Sequence, residues 1–309
     1  MQKPIITVVG SFAVGMTIRT SRMPIFGETL IGSDFDMGPG GKGSNQAVAV
    51  ARLGADSHFV AIIGDDKLGE IGTDLYVLEG VNTHHVKKTS ELATGVGFII
   101  LDQSGRNGII LDMSANRLMD AAFVDLAEDQ IAHSQVVMSV LEIPVAAAAR
   151  AMALGRKHGV LTVLNPAPAV QLNDQIIKNV DVITPNETEL RILLGLAPDD
   201  STSTRELAYR LKDIGAKNIL ITMGEQGSLV LTQNEEVQIP AVAVDVVDTT
   251  GAGDSYNAGL AIALAEGKDI VTAARFAACT GALACTHLGV IPSLPTRASV
   301  EELYQKSFK

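Results

Sequence analysis

The sequence lacks the features that mark disulfide-bonded, membrane-spanning and nucleic-acid-binding proteins. It has only two cysteines, Cys279 and Cys285, which is too few for a disulfide framework or a cysteine metal site. Glycines or charged residues interrupt every apolar run well before the roughly 18 residues that a membrane-spanning helix needs. No basic tract offsets the net charge of −11, so nucleic acid is not an expected partner.

The start of the chain and the two cysteines together predict a cytoplasmic protein. Met1-Gln2-Lys3-Pro4 precedes a short strand-like run and does not have the pattern of a signal peptide. The cysteines lie in one apolar helical stretch, where we expect them to fill the core as free thiols and to have no catalytic use. We therefore expect a reduced, cytoplasmic protein without a membrane partner.

Short apolar runs alternate with segments of helical spacing through most of the 309 residues. The runs that predict buried strands are Ile5–Val9, Phe59–Ile63, Val136–Leu141, Val160–Leu164, Val180–Thr184 and Asn218–Thr222. The segments that predict helices are Ser44–Leu53, Leu68–Glu79, Val145–Lys157, Glu187–Leu194 and Thr204–Ile214. Further on, Ser228–Leu231 and Val237–Val244 predict a meander, followed by two long helices. The alternation predicts an α/β fold with a central, mostly parallel sheet and helices on both faces.

Two regions depart from the alternation and predict a small second sheet. Residues 12–37 have little helical periodicity, and residues 94–113 have the pattern of a hairpin around Gln103–Asn107. We expect these regions to form a lid on one domain that spans residues 1–309. An exposed apolar face on such a sheet would equally favour dimerisation.

The most informative segment is Asp248-Thr249-Thr250-Gly251-Ala252-Gly253-Asp254, which precedes a predicted helix. The first turn of a helix has free N–H groups and a positive dipole end, and glycines there let an anion approach the backbone. A carboxylate beside such an anion hole is badly placed to bind phosphate, but it is well placed to take a proton from an alcohol that attacks phosphorus. The segment indicates a small-molecule kinase, although a Gly-Ala-Gly-Asp turn alone is more often an ordinary helix cap.

A second glycine-rich segment, Gly38-Pro39-Gly40-Gly41-Lys42-Gly43-Ser44-Asn45-Gln46, allows three interpretations. It has the spacing of a dinucleotide fingerprint, with Asp65 and Asp66 near the position of the ribose-binding acid, but it does not directly follow the first strand. It does not match a Walker-type phosphate loop. The third interpretation is a cradle for a polar substrate, with hydrogen bonds from Lys42 and Asn45.

Polar turns follow several successive predicted strands. Glu142 follows one strand, and Asn165-Pro166-Ala167-Pro168, Pro185-Asn186-Glu187-Thr188-Glu189 and Thr222-Met223-Gly224-Glu225-Gln226-Gly227 follow the next ones. Each of these alone is an ordinary loop between a strand and a helix. Because ligands bind beyond the carboxyl ends of parallel strands, the turns together predict one shared crevice.

These segments together resemble the ribokinase family of sugar kinases, also called the PfkB family, over essentially the whole chain. Gly40–Gln46 and Asp248–Asp254 match the two signatures of the family in the right order, and Asn165–Pro168 and Pro185–Glu189 are similar to its interior markers. The resemblance implies a mostly parallel sheet between helices, with a β-sheet lid that often forms a dimer contact. It also implies transfer of phosphate from ATP to a primary hydroxyl of a sugar, with Mg²⁺ and a monovalent cation, usually K⁺.

The resemblance further implies a role for each residue that matches the family pattern. Asp254 would be the general base, and the backbone of Gly251, Ala252 and Gly253 would form the anion hole. The sugar would be held by Gly40, Gly41, Lys42, Asn45, Glu142 and Asp254. The nucleotide and Mg²⁺ would be bound by Asn186, Glu189, Thr222, Gly224, Gly227 and Gly253. The monovalent cation would be bound, mostly through carbonyl oxygens, near Asp248, Thr250, Ala284, His287, Gly289 and Ser293.

Three positions depart from the family pattern. Members usually carry Asn and Asp where this chain has Ala13 and Gly15, and those side chains bind sugar hydroxyls. A site without these acceptors cannot select a polyhydroxylated sugar through the same hydrogen bonds. The acceptor is therefore ribose or, alternatively, a deoxy sugar, a larger or modified sugar, or a nucleoside. Ala278 stands where members often have a His against the adenine.

Two functions of other classes remain alternatives on the sequence alone. An NAD-dependent dehydrogenase would use the glycines at 38–43, and it would bind NAD tightly and ATP weakly. A non-catalytic sugar sensor would have no need of a base beside an anion hole, so Asp254 disfavours that alternative.

Overall fold

The computed structural model of the protein describes residues 3–103 and 107–309. The strands are β1 Ile5–Val9, β2 Ala13–Thr20, β3 Ser33–Gly40, β4 Asp56–Gly64, β5 Asn82–Thr89, β6 Gly95–Asp102, β7 Asn107–Asp112, β8 Val136–Val140, β9 Leu161–Asn165, β10 Val182–Ile183, β11 Asn218–Thr222, β12 Ser228–Leu231 and β13 Glu236–Ile239. The α-helices are α1 Lys42–Arg52, α2 Lys67–Glu79, α3 Ala121–Asp125, α4 Glu128–Ala132, α5 Val145–His158, α6 Asp174–Lys178, α7 Glu187–Leu193, α8 Thr204–Ile214, α9 Ala252–Ala265, α10 Ile270–Ala284, α11 Val290–Ser293 and α12 Arg297–Phe308. Short 3₁₀ helices cover Ser114–Leu118 and Gly224–Gln226.

The larger sheet has nine strands in the order β13-β12-β11-β10-β9-β8-β1-β4-β5. All neighbours from β11 to β5 pair in parallel, whereas β12 and β13 continue the sheet antiparallel. Every residue of β8 and nearly every residue of β1 is buried, as expected for parallel strands covered on both faces. The predicted α/β fold with a mostly parallel sheet is confirmed.

The hydrophobic pattern located most elements of this sheet and missed one. The strands β1, β11 and β12 and the helix α8 have the predicted bounds. The predicted strands Val180–Thr184 and Val237–Val244 are shorter in the structure, where they correspond to β10 and β13. Strand β5 was not predicted, because it lies at the edge of the sheet and its sequence NTHHVKKT has no apolar run.

The second sheet, which we call the small sheet, has four strands in the order β3-β2-β6-β7. It is formed by the two regions that depart from the strand–helix alternation, as predicted. Strand β2 pairs in parallel with β6, while β3 and β7 run antiparallel to their neighbours. The predicted hairpin connects β6 and β7, but residues 104–106 of its turn lie outside the described residues.

Two neighbouring rows of the small sheet differ in side-chain size. Successive residues of a strand point to opposite faces, so the register defines which side chains share a face. One row across the four strands is Met37, Met16, Phe98 and Ile110, and we call the side it occupies the apolar face. The next row, on the opposite side, is Gly38, Gly15, Gly97 and Leu111, and we call that side the glycine face.

Two smaller expectations concern the cysteines and the membrane. Both cysteines are free; Cys279 is buried, and its burial raises the pKa of the thiol to about 12, as suits an inert core residue. Within the described part of the chain, no helix combines the length and the apolar character needed to cross a bilayer.

Candidate active site

The carboxyl ends of the parallel strands bring together the polar residues that the sequence predicted to share a crevice. Ser11 comes shortly after β1, Glu142 comes shortly after β8, and Asn165 is the last residue of β9. Asn186 follows β10 and forms an isolated parallel bridge with Thr222, the last residue of β11. Because these strands are parallel neighbours, the residues lie along one edge of the sheet.

Helix α1 begins in close contact with the loop that follows β1. Gly41 caps the helix with φ of 88°, and a Cβ atom there would come within 2.7 Å of the loop backbone. A Cβ atom on Gly43 would lie 2.4 Å from the amide nitrogen of Ser11. Both positions therefore require glycine, because any side chain would push the helix away from the loop. The contact places Lys42 and Asn45 at the same edge of the sheet as Ser11.

Glu142 binds both the loop after β1 and the start of α1. Its Oε2 atom accepts hydrogen bonds from the Ser11 hydroxyl at 2.6 Å and from the Lys42 amide at 2.8 Å. Burial raises the pKa of Glu142, and the negative charge of Asp254 raises it further. The positive charge of Lys42 and the two hydrogen bonds lower this pKa, but the net shift is upward. The charge of Asp254 is also the main cause that raises the pKa of Lys42, with smaller contributions from Glu142 and Glu189. The charges of three carboxylates thus favour the protonated form of Lys42.

Asp254 lies in the first turn of α9, where its side chain is buried. Asn45 Nδ2 donates to Asp254 Oδ2 at 2.8 Å, and Gln46 Nε2 donates to Oδ1 at 3.2 Å. The two glycine-rich segments of the sequence therefore meet at one carboxylate. Each oxygen of that carboxylate accepts a hydrogen bond from an amide N–H group, so both oxygens are held in place.

The start of α9 has free backbone amides of the kind that bind anions. Gly251 caps the helix in the left-handed conformation, with φ of 81°. In the described residues, the amides of Gly251, Gly253 and Asp254 have no hydrogen-bond acceptor. The Ala252 amide, which was expected in the anion hole, instead donates to the Thr249 carbonyl at 3.2 Å because the chain turns tightly there. Free amides at a helix start, together with the helix dipole, are the groups with which a protein can bind an anion.

Asn186 and Glu189 form a reciprocal capping box at the start of α7. The Asn186 amide donates to Glu189 Oε2 at 2.8 Å, and the Glu189 amide donates to Asn186 Oδ1 at 2.8 Å. Burial raises the pKa of Glu189, and the charge of Asp254 raises it further. The hydrogen bond from the Asn186 amide and the charge of Lys42 act in the opposite direction. The charges of Lys42 and Asp254 therefore both influence Glu189 at the start of α7.

Gly224 and Gly227 form the turn that follows β11. They have φ of 55° and 84°, and a Cβ atom on Gly227 would lie 2.0 Å from the Ile239 carbonyl oxygen. The turn itself therefore requires Gly227. A Cβ atom on Gly224 would meet nothing within 4 Å, so space is open beside it. Through Thr222, this turn adjoins Asn186 at the same edge of the sheet.

The residues of the expected cation site lie in two segments that hydrogen bonds join. The Asp248 amide donates to the Cys285 carbonyl at 3.2 Å, and the Gly289 amide donates to Asp248 Oδ2 at 3.1 Å. Asp248 Oδ1 accepts from the amide and the hydroxyl of Thr250 at 2.9 and 2.6 Å. Burial alone would raise the pKa of Asp248, but the hydrogen bonds from Thr250 and Gly289 and the charge of Arg19 lower it.

The oxygen atoms of these two segments suit a hard cation. In the parts of the chain that the structure describes, the carbonyl oxygens of Thr250 and Ala284 accept no hydrogen bond, and no group of three or more His, Cys, Asp or Glu residues could hold a metal ion. His287 Nδ1 contacts the hydroxyl of the preceding residue at 2.8 Å, and the Ser293 hydroxyl donates to a backbone carbonyl of α11 at 2.8 Å. The ligands that these segments offer to an ion are therefore carbonyl and carboxylate oxygens.

Sequence reasoning missed part of the polar core around Asp254. It treated Gln46 as a helix start and Asn165 as part of a loop, and it did not single out Thr184 or Asn257. In the structure all four side chains are buried and hydrogen-bonded in one network with Asp254. The signal available in the sequence was a polar residue in an otherwise apolar strand or helix, which usually marks a satisfied buried group.

The structure does not fit the dinucleotide-binding alternative. Gly38 and Gly40 belong to β3, which runs antiparallel to β2 in the small sheet, and they do not form a turn after a parallel core strand. Asp66, a candidate for the ribose-binding acid, caps α2 and accepts hydrogen bonds from the amide and hydroxyl of Thr94 at 2.7 and 2.8 Å. Its carboxylate therefore has a structural role.

Comparison with known proteins gives a consistent result. A family model described as pfkB family carbohydrate kinase matches residues 4–297. The chain is 37% identical over 300 residues to a ribokinase of Haemophilus influenzae, with 97% of this chain and 98% of the relative covered. It is 35% identical over 292 residues to a deoxyribokinase of Salmonella typhi, with 94% and 95% covered. The structure of Arabidopsis thaliana ribokinase complexed with ribose and ATP matches with a TM-score of 0.89 at 30% identity and covers 100% of both chains. The chain therefore belongs to the pfkB family of carbohydrate kinases, and the sugar-kinase prediction is confirmed.

Proposed function

We propose that this kinase transfers the terminal phosphoryl group of ATP to a primary hydroxyl of a sugar, with Asp254 as the general base. One observation carries the proposal: a buried carboxylate, held by two amide groups from another helix, lies in the first turn of a helix whose amides are free. A phosphoryl-transfer site needs this pairing of a proton acceptor with an anion site. A binding protein for neutral sugars does not need it.

In the proposed reaction, the residues of this chain position the reactants and balance charge. Asp254 takes the proton of the attacking hydroxyl. The amides of Gly251 and Gly253 and that of Asp254 itself donate to the transferring phosphoryl group, whose negative charge the helix dipole also stabilises. Lys42 offsets part of the negative charge that gathers between the sugar and the nucleotide.

We assign the sugar to the pocket around Asn45 and Glu142. The Oδ1 atom of Asn45 is buried and has no hydrogen-bond partner in the described residues. Leaving such an acceptor unpaired costs about 1–3 kcal/mol, which a hydroxyl donor would remove. Glu142 Oε1 likewise accepts no hydrogen bond in the described chain. The backbone of Gly40 and Gly41 and the side chain of Lys42 complete the set of proposed sugar contacts.

We assign the nucleotide to the carboxyl ends of β10 and β11. Its proposed contacts are Asn186, Glu189, Thr222, Gly224, Gly227 and Gly253. When bound, Mg²⁺ would neutralise phosphate charge, and Glu189 is the nearby carboxylate that fits this ion, because its Oε1 atom has no partner in the described residues. K⁺ would fit between the 248–250 and 284–293 segments, with Asp248 and the free carbonyl oxygens as its ligands.

The identity of the acceptor is open between ribose and a different sugar or nucleoside, and the glycine face favours the second. A Cβ atom on Gly15 would make only ordinary contacts, at 3.7 Å or more, and one on Gly38 would meet nothing within 4 Å. Neither residue has a positive φ, so neither packing nor the backbone requires glycine there. Glycine inside a strand often marks a place where a ligand approaches closely. Together with Ala13, these positions leave room for a modified or larger sugar. They also have no polar side chain that the missing hydroxyl of a deoxy sugar would leave without a hydrogen-bond partner.

The small sheet is proposed to act as a lid and as the dimer contact. Strand β3 ends on the glycine face at Gly40, directly before the helix cap Gly41, so this face adjoins the start of α1. On the apolar face, Phe98 and Ile110 are 50% and 71% exposed. Such apolar side chains on one surface favour association, and we propose a second copy of this chain as the partner. The two free cysteines agree with a cytoplasmic location.

A phosphorylation screen tests the function. The purified protein is incubated with ATP, Mg²⁺ and K⁺ and with pentoses, deoxy sugars, hexoses and nucleosides in turn, and ADP and the phosphorylated product are quantified. We expect acceptor-dependent ADP release, with a lower rate when tetramethylammonium replaces K⁺. If no acceptor in these classes were phosphorylated, the proposal would be wrong.

A further inference from the structure

A closed ring of hydrogen bonds, buried except at Gly253, connects the carboxylate of Asp254 to the peptide group that precedes it. Gln46 Nε2 donates to Asp254 Oδ1 and also to Asn165 Oδ1, both at 3.2 Å. Asn165 Nδ2 donates to the Thr184 carbonyl at 3.3 Å, and the Thr184 hydroxyl donates to Asn257 Oδ1 at 2.6 Å. Asn257 Nδ2 then donates to the Gly253 carbonyl at 2.8 Å, which closes the ring.

The orientation of the Gln46 amide follows from its neighbours. Asn165 gives its own NH₂ group to the Thr184 carbonyl, so it presents an oxygen to Gln46. Asp254 can also present only an oxygen when it is ionised. Two acceptors therefore face the same end of the Gln46 side chain, and only the NH₂ group satisfies both. With the amide fixed this way, its Oε1 atom is left buried without a partner in the described residues.

Gln46 holds Asp254 from the interior side of the candidate site. Its side chain has no exposed surface, whereas Asn45 and Asp254 are each 4% exposed. Of the two amide groups that hold the carboxylate, the one from Gln46 is thus anchored in the protein interior through Asn165. A carboxylate held on both oxygens cannot rotate freely about its Cβ–Cγ bond.

We infer that Gln46 is a positioning residue for the general base. Through the ring, it fixes the direction of the Asp254 carboxylate relative to the Gly253–Asp254 peptide, whose amide belongs to the proposed anion hole. One hydrogen-bonded network would then fix the position of the base relative to the anion hole. Gln46 itself would not take part in making or breaking a covalent bond. The inference rests on the proposed role of Asp254, so its test must separate the two.

The first test replaces Gln46 with methionine, which has a similar length and volume but no N–H donor. We expect kcat to fall about 10- to 100-fold, the range that misplacement of a reacting group causes, while the KM values for ATP and the sugar stay within about twofold of those of the wild type. Tyr76→Phe is the matched control. It removes a buried 3.0 Å hydrogen bond to Ser44, also on α1, which has no link to the ring. This control should keep its kcat.

The second test places Gln46→Met in an Asp254→Asn background. If Gln46 acts through the carboxylate, the double variant should turn over within about twofold of Asp254→Asn alone, because the group that Gln46 positions is already gone. If Gln46→Met lowered the rate by the same factor in both backgrounds, Gln46 would act independently of the base and the inference would be wrong. Near-normal kcat in Gln46→Met, in an enzyme that depends on Asp254, would also overturn it.

A third variant keeps the inference testable if Gln46→Met does not fold. Thr184→Val opens the ring at the opposite side, since it keeps the shape of the side chain but removes the 2.6 Å hydrogen bond to Asn257, together with a longer contact of 3.3 Å to the Leu164 carbonyl. We expect it to lower kcat and leave both KM values within about twofold. An unchanged kcat in this variant would contradict the ring as a positioning device. Failure of the proposed function gives a different result, namely near-normal turnover in Asp254→Asn.

Discussion

Asn45 donates a 2.8 Å hydrogen bond to Asp254, although 209 residues separate the two in sequence. The contact exists because the N-termini of α1 and α9 meet at the carboxyl edge of the sheet. Each of the two glycine-rich segments has an ordinary structural explanation by itself. Because they converge on one buried carboxylate, the two segments together identify the candidate active site.

Replacing Glu142 with glutamine should stabilise the protein at neutral pH. The folded-state pKa of Glu142 is raised above its ordinary value of 4.5, mainly by burial. Below that value the carboxyl is protonated in both the folded and the unfolded chain. As the pH rises above it, the unfolded chain ionises more readily, so the wild type loses stability. Glu142→Gln avoids this loss.

Urea unfolding at pH 4 and pH 7 measures the effect of Glu142→Gln. The gain in free energy of unfolding should be present at pH 7 and nearly absent at pH 4, while sugar phosphorylation falls because a proposed sugar contact is lost. A variant that is less stable than the wild type at pH 7 would show that the ionised carboxylate is a net stabilising group.

Replacing Gly43 with alanine should destabilise the protein. Its Cβ atom would lie 2.4 Å from the backbone nitrogen of Ser11, which cannot move aside as a flexible side chain could. We expect a loss of about 1–3 kcal/mol in the free energy of unfolding, as for other overpacked sites. Gly38→Ala is the matched control, because a Cβ atom there meets nothing within 4 Å. Equal unfolding midpoints for the two variants would contradict the packing explanation.

Much of the fold could be predicted from the sequence because its parallel strands are apolar and its helices have regular spacing. The hydrophobic pattern is strong wherever a strand is covered on both faces, as in β1 and β11. It is weak at the sheet edge, so the polar strand β5 was missed. The pattern also indicated that residues 12–37 and 94–113 form a second sheet. It could not show that one row of this sheet is apolar and the next mostly glycine, because that depends on the register between strands.

The candidate site was predictable to a similar extent. Asp254 and the glycines before it stood out because their chemistry is unusual at a helix start. Gln46 and Asn257 did not, because a buried amide has meaning only through its partners, which lie far away in sequence. Of the amides expected in the anion hole, those of Gly251 and Gly253 have no acceptor in the described residues, whereas a local turn takes up the N–H group of Ala252.

The double variant Ala13→Asn, Gly15→Asp should increase the preference for ribose. Both positions lie near the start of β2, and the structure has room for a side chain at Gly15. The new acceptors could bind sugar hydroxyls, and hydrogen bonds to a charged group contribute about 1.5–3 kcal/mol, which corresponds to roughly a 10- to 150-fold change in specificity. The kcat/KM for ribose relative to the best wild-type acceptor is the quantity to measure. An unchanged ratio would mean that these positions do not contact the acceptor.

A charged residue on the apolar face of the small sheet should prevent dimerisation. Phe98→Lys puts a charge in the row that contains Met16 and Ile110, where burial against a second copy would cost desolvation. Leu78→Lys on α2 is the matched control, since Leu78 is 81% exposed and lies outside the small sheet. Sedimentation equilibrium should show a dimer for the wild type and for Leu78→Lys, and a monomer for Phe98→Lys. A dimer in all three would place the interface elsewhere.

The turnover of Asp254→Asn tests the central claim most directly. Asparagine keeps the size of the side chain but cannot accept the proton of the attacking hydroxyl, so kcat should fall about 10²- to 10⁴-fold. Titration calorimetry on the same protein should show ATP binding close to that of the wild type, because the proposed nucleotide contacts are unchanged. A variant that keeps near-normal kcat would contradict the assignment of Asp254 as the general base.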